Sequence, residues 1–140
     1  MKKILPIILT LLLLSTANLF ANAKGNKSPF LVQSKELPHY TKKLMKMWDN
    51  EKLALSKEQK KQLLKVRKET IKAIKSLKPK IIKLQKKIIQ QVKKKTPLKK
   101  LQKELQQLAN LKKKASMAHF KCIYKTRAIL KPKQLQLLER

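Results

Sequence analysis

Residues 63–92 read LLKVRKETIKAIKSLKPKIIKLQKKIIQQV. Leu63, Thr70, Ile74, Leu77, Ile81, Leu84, Ile88 and Val92 recur there mostly at steps of three and four, with Arg67 filling one slot. That spacing lays a seam of coiled-coil type along one side of a helix. Leu64, Ile71, Ile82 and Ile89 widen it toward the broader stripe of a packed bundle. Pro79 interrupts the run, and an interior proline removes one hydrogen bond at a cost of about 3 kcal/mol. Because the apolar register continues across Pro79, one kinked helix is expected rather than two.

Punctuation on both sides sets the limits of this helix. Upstream, Leu55-Ser56-Lys57-Glu58-Gln59 has the form of a capping box: Ser56 accepts from the amide three residues on, and the Gln59 side chain returns to the Ser56 amide. Downstream, Thr96 reads as a cap and Pro97 as the first helical position of a third helix. Leu98, Leu101, Leu105, Leu108, Leu111, Ala115, Ala118, Cys122, Thr126 and Ile129 continue the stripe along it. At roughly 34 residues it would be about 50 Å long. A shorter first helix is expected from Tyr40 to about Leu53, with Leu44, Met47, Trp48 and Leu53 on its apolar side. Leu130-Lys131-Pro132-Lys133-Gln134 opens a short last helix ending at Arg140, with Pro132 in its first position, Leu130 stapled onto Leu135 and Lys131 in place of a hydroxyl cap.

Composition agrees with an all-α chain. The 140 residues include 37 Lys or Arg, 7 Asp or Glu, one Gly, one Trp and one Cys, for a net charge of +30. So little Gly excludes Gly-rich phosphate loops and most hairpin turns. A single Cys excludes an intramolecular disulfide.

The first 23 residues read as an export signal. Met1, Lys2 and Lys3 precede the apolar run Ile4–Leu14, and Ala21-Asn22-Ala23 is a small-x-small exit. The run is well short of the roughly 20 residues a spanning helix needs, which weighs against a retained anchor. No Cys follows it, which weighs against lipidation. Residues 24–38 read as a flexible lead and 39–140 as one helical domain. After cleavage at Ala23, 117 residues carry 35 basic and 7 acidic side chains, net +28. Export directs this charge away from nucleic acid, for which aromatics are also few, and toward envelope proteins and anionic membrane surfaces.

The two motifs, Leu55, Ser56 and Gln59, then Leu130, Pro132 and Gln134, carry a resemblance. The chain resembles the Spy and CpxP family of bacterial periplasmic proteins, named for a repeated Leu-Thr-x-x-Gln motif. Ser56 and Lys131 stand where the family has Thr, and Ala118-His119 with Ile129-Leu130 is similar to the approach to its second motif. The likeness spans about residues 40–138. It implies an antiparallel helical hairpin with short flanking helices, dimerising into a thin, curved cradle with a basic concave face. It further implies an ATP-independent chaperone of unfolded proteins, a signalling accessory that contacts the periplasmic domain of a stress sensor kinase, or a metal-responsive sensor. A homodimer is expected on independent grounds, since one hairpin buries too little core to be comfortable alone.

No acid lies between Glu69 and Glu104. Lys72, Lys75, Lys83, Lys86, Lys87 and Lys93 in that stretch are the candidate client-binding residues, capturing acidic segments at long range while neighbouring apolar residues hold them loosely. The competing reading is a solvated face that keeps the protein soluble. His119 and Cys122, three apart, are weak metal candidates with Met117 nearby, against plain packing in the helix seam. Cys122 could alternatively bridge two subunits. His39, Met45, Met47 and Trp48 read as core or dimer contacts. No cofactor is expected. Catalysis is the class weighed lowest: Asp49 and Glu51, the nearest pair of acids, are two apart and point differently on a helix.

Overall fold

The computed structural model describes residues 28–32 and 36–139. The expected export signal, residues 1–23, and Arg140 lie outside the described residues. Four helices follow one another: α1 (Tyr40–Lys46), α2 (Lys57–Lys93), α3 (Leu98–Ile129) and α4 (Pro132–Glu139). No strand occurs among the described residues, and no helix among them is long and apolar enough to cross a membrane. The long helices α2 and α3 pack together. They run antiparallel, because Gln59 reaches Ile129, Glu69 pairs with Lys125 and Gln91 bonds Glu104.

α2 is 37 residues long and begins at the expected box: Gln59 N donates to Ser56 Oγ and Ser56 N to Gln59 Oε1, both at 3.1 Å. It runs unbroken through Pro79. Pro79 and Lys75 are both exposed, so the carbonyl four residues back, which loses its partner to the proline, lies where water can meet it. Immediately beyond, Ile81 is fully buried and holds the helix to α3 across the interruption.

The turn between the long helices corrects the expected start of α3. Thr96 is not its cap. Thr96 N donates to Gln91 O and Lys95 N to Val92 O, closing the end of α2 in a Schellman arrangement with Lys95 in the left-handed region at φ 55°. Glycine normally takes that position, but the chain has only one. With the Thr96 amide used to end α2, Pro97 becomes the cap residue of α3, and its carbonyl accepts from Lys100 and Leu101. Helix α1 is also shorter than expected. It stops at Lys46, and residues 47–53 turn instead because Asn50 O accepts from Leu53 N and Ala54 N while Asn50 Oδ1 takes Lys52 N. The turn still delivers Leu53 to the interior.

The main core sits where all four helices meet. Tyr40, Leu44, Leu53, Leu63, Ile123, Leu130 and Leu138 form one buried cluster, with Trp48, Leu55, Phe120 and Leu135 packed around it. Leu130 belongs to this core and Leu135 packs against it. Toward the Lys94–Pro97 turn the molecule thins to two helices with a single seam, in which Ile81, Ile88, Leu101 and Ala115 are buried. We call these regions the base and the arm. Within the segment read as a flexible lead, Ser28–Val32 lie against α3, where Leu31 N donates to Ser116 Oγ at 2.8 Å.

Candidate functional site

The two sequence motifs meet at the base through their glutamines. Gln59 Nε2 donates to Gln134 Oε1 at 2.9 Å, and Gln134 Nε2 to Gln59 Oε1 at 3.3 Å. Each amide also reaches the carbonyl just before the other motif: Gln59 that of Ile129, Gln134 those of Leu53 and Ala54. Each Oε1 accepts from the backbone amide three residues earlier, Ser56 or Lys131. The arrangement has approximate twofold symmetry. Ala54, in the left-handed region at φ 44°, sits beside the two carbonyls that meet Gln134. Lys131 supplies no hydroxyl, yet its amide keeps the return half of a capping box, and Pro132 opens α4 as expected. Leu55 is half-buried beside this clasp and Leu130 is buried beneath it. Gln59 and Gln134 therefore fasten the base together, while Ser56 and Pro132 start the helices that carry them and Leu55 and Leu130 pack in or against the core.

A second cluster at the base has no counterpart in the sequence motifs. The Tyr40 hydroxyl donates to Glu139 Oε1, while Arg127 donates to the same hydroxyl at 3.0 Å and to Glu139 at 3.1 Å. The Tyr40 and Arg127 bonds hold the Glu139 carboxyl below its ordinary range. Burial, then the Glu139 bond, pushes the Tyr40 phenol up.

In the arm the seam is narrower than the apolar pattern, and its membership differs. Glu104, not Leu105, lies inside. Glu104 is 7% exposed, while Leu105 is 52%, Val92 58%, Ile89 56% and Leu98 82% exposed. Two helices can cover only one stripe each, so the flanking apolar positions stay in water. Glu104 tolerates the seam because Lys87 Nζ pairs with it at 2.8 Å and Gln91 Nε2 donates to it at 3.1 Å. The Lys87 bond keeps its carboxyl below the usual value against the opposing effect of burial. The 3-4-3 spacing Leu101, Glu104, Leu108, Leu111 was the available signal, masked by the more apolar Leu105.

The arm has two unlike flanks. At about 100° per residue, Ile89 and Val92 are turned from Ile88 in the same sense as Leu105 and Leu98 from Leu101. In an antiparallel pair these residues share one flank. At the base, the lead and α1 cover the corresponding flank of α3, through the Leu31–Ser116 bond and His39 stacked on His119 with rings 5.1 Å apart. The opposite flank is cationic. Lys80, Lys83, Lys86 and Lys87 line a groove there with Leu84, Gln90 and Leu111. Farther toward the base, on that same flank, lies a groove of about 630 Å³ lined by Lys113, Lys114, Lys121 and Lys125.

The six candidate client-binding lysines are not gathered into one site. Lys83, Lys86 and Lys87 line the first of these grooves, Lys72 and Lys75 border a different, apolar one with Leu64 and Ile71, and Lys93 lines neither. Their spread follows from placing a cation at nearly every outward position of one helix.

His119 sits among Phe30, His39 and Phe120. Burial first, and the adjacent His39 second, depress its pKa, partly offset by a bond to the Pro38 backbone. Cys122 is a free, buried thiol. No group of three or more His, Cys, Asp or Glu side chains placed to hold a metal occurs among the described residues.

No protein-family model, no curated protein and no solved structure matches this chain.

Proposed function

We propose that this chain is an exported, ATP-independent chaperone of the Spy and CpxP type that holds unfolded envelope proteins in the bacterial periplasm. One observation carries the reading: Ile89, Val92, Leu98 and Leu105 stand in water together on one flank of a cationic arm. Exposed apolar side chains in a field of lysines suit a loose, reversible hold on acidic, partly unfolded polypeptide. Charge speeds the encounter, apolar contact prolongs it, and the client leaves when folding buries its own apolar segments. The paired Gln motifs at the base support the family assignment. In this proposal Pro79 bends α2, and two copies pair to form a cradle, a pairing that would also supply neighbours to a seam of single-stripe width.

The test is suppression of light scattering from a chemically denatured acidic client by the processed protein. Suppression without nucleotide is expected, together with an on-rate that falls steeply with salt. Val92→Ser with Leu98→Ser, both at exposed positions, is expected to remove most of the activity while leaving helix content intact. Failure to suppress aggregation at equimolar protein, or full activity in that double variant, would overturn the reading. Sedimentation checks the dimer.

A further inference from the structure

We propose that the groove on the cationic flank of the hairpin, beneath Lys113, Lys114, Lys121 and Lys125, binds a ligand carrying two or more phosphate groups. The site lies opposite the apolar flank, so it stands or falls separately from the chaperone reading.

The groove exists because its floor is small. Ala73 of α2 and Ala118 of α3 line it where longer side chains would fill the space between the helices. Its rim is cationic for a reason of periodicity. On α3, Lys114, Lys121 and Lys125 follow one another at steps of seven and four, and Lys113 adds a fourth ammonium group beside them. Glu69 is the one acid in the lining. It is already paired to Lys125 at 2.7 Å, and that bond holds its carboxyl below the ordinary range. Lys113, Lys114 and Lys121 enter no ion pair among the described residues. The groove therefore presents several cations that the chain does not neutralise.

The spacing selects among anions. Lys114 and Lys121, neither of which has an acidic partner among the described residues, are separated by about 10 Å along the helix axis, farther than one tetrahedral anion spans. A ligand with several phosphates can engage both ends at once. Lysine offers flexible point charges, which suit phosphate without imposing a fixed fork geometry. The lysine stems and the exposed Met117 add apolar surface beside the charges. That chemistry is shared by free condensed phosphates and by phosphorylated lipid headgroups.

Two probes distinguish the sources: inorganic tripolyphosphate by calorimetry, and co-sedimentation with phosphatidylcholine vesicles containing cardiolipin, whose headgroup carries two phosphates. Lys114→Gln with Lys121→Gln is expected to weaken binding by about tenfold. Lys99→Gln with Lys133→Gln removes the same net charge away from the groove and is expected to change it by less than about twofold. All four lysines are exposed, so helix content by circular dichroism should be unchanged. Site-dependent binding of tripolyphosphate assigns a free polyanion, and site-dependent binding of vesicles alone assigns a lipid headgroup. Equal weakening in both variants, or no saturable binding of either probe, would overturn the proposal.

Discussion

The base and the arm are built from the same two long helices yet differ in how many neighbours each helix has. At the base, α1 and α4 close over α2 and α3, so Leu53, Tyr40 and Leu138 disappear from solvent, with the Tyr40 hydroxyl bonded to Glu139 and the Leu53 carbonyl to Gln134. In the arm the same helices face only each other. A comparable density of Leu and Ile then leaves a thin seam, one buried carboxylate and an exposed apolar flank. The amount of apolar sequence does not decide what is buried; the number of packing surfaces does.

The largest expected effect tests this difference directly. Leu138→Ala should cost about 3–5 kcal/mol in urea unfolding, and Ile88→Ala in the arm about 2–3 kcal/mol, because the open seam can relax around the lost atoms. Equal costs would erase the distinction. Next in size is Gln134→Ala, which removes one half of the clasp and takes the partner from the Leu53 carbonyl and the Lys131 amide, while Gln59 keeps its bonds to Ile129 and Ser56. A loss of about 1–3 kcal/mol is expected, measured the same way.

A pH titration of stability sharpens the comparison further. His119 has a folded pKa below its ordinary 6.5, so the unfolded chain binds more protons as pH falls beneath that value. The His119 contribution should therefore be level well above pH 6.5, and stability should decline as pH falls through that value until the folded imidazole also protonates. His119→Phe should flatten that slope while leaving the arm unaffected. The smallest effect belongs to the tip. Lys95→Gly relieves a left-handed residue and should stabilise the hairpin by about 0.5–1 kcal/mol, read as a shift of the urea midpoint; a destabilisation would show that the Lys95 side chain has a role there.

Much of this architecture was legible because it is local. The Ser56–Gln59 box, Pro132 opening α4 and the continuity of α2 through Pro79 each depend on residues within a turn or two of one another. The misread boundaries were places where a neighbouring element competes for the same backbone group. Thr96 has the chemistry of a cap, but its amide ends α2; Met47, Trp48 and Leu53 have helical spacing, but Asn50 turns the chain first. The candidate lysines were legible as charge and not as a site, since a run of cations on a helix points in every outward direction.

Sequence by itself determined four helical stretches, the Ser56–Gln59 box, the Pro132 start of α4 and the excess of positive charge, because these are set by short-range hydrogen bonding and by composition. Only the tertiary structure decided that Gln59 and Gln134 clasp each other, that Glu104 rather than Leu105 enters the seam, and that the arm has one apolar and one cationic flank. Those outcomes depend on the rotation of one helix against another, which a periodic pattern wider than the available contact leaves open.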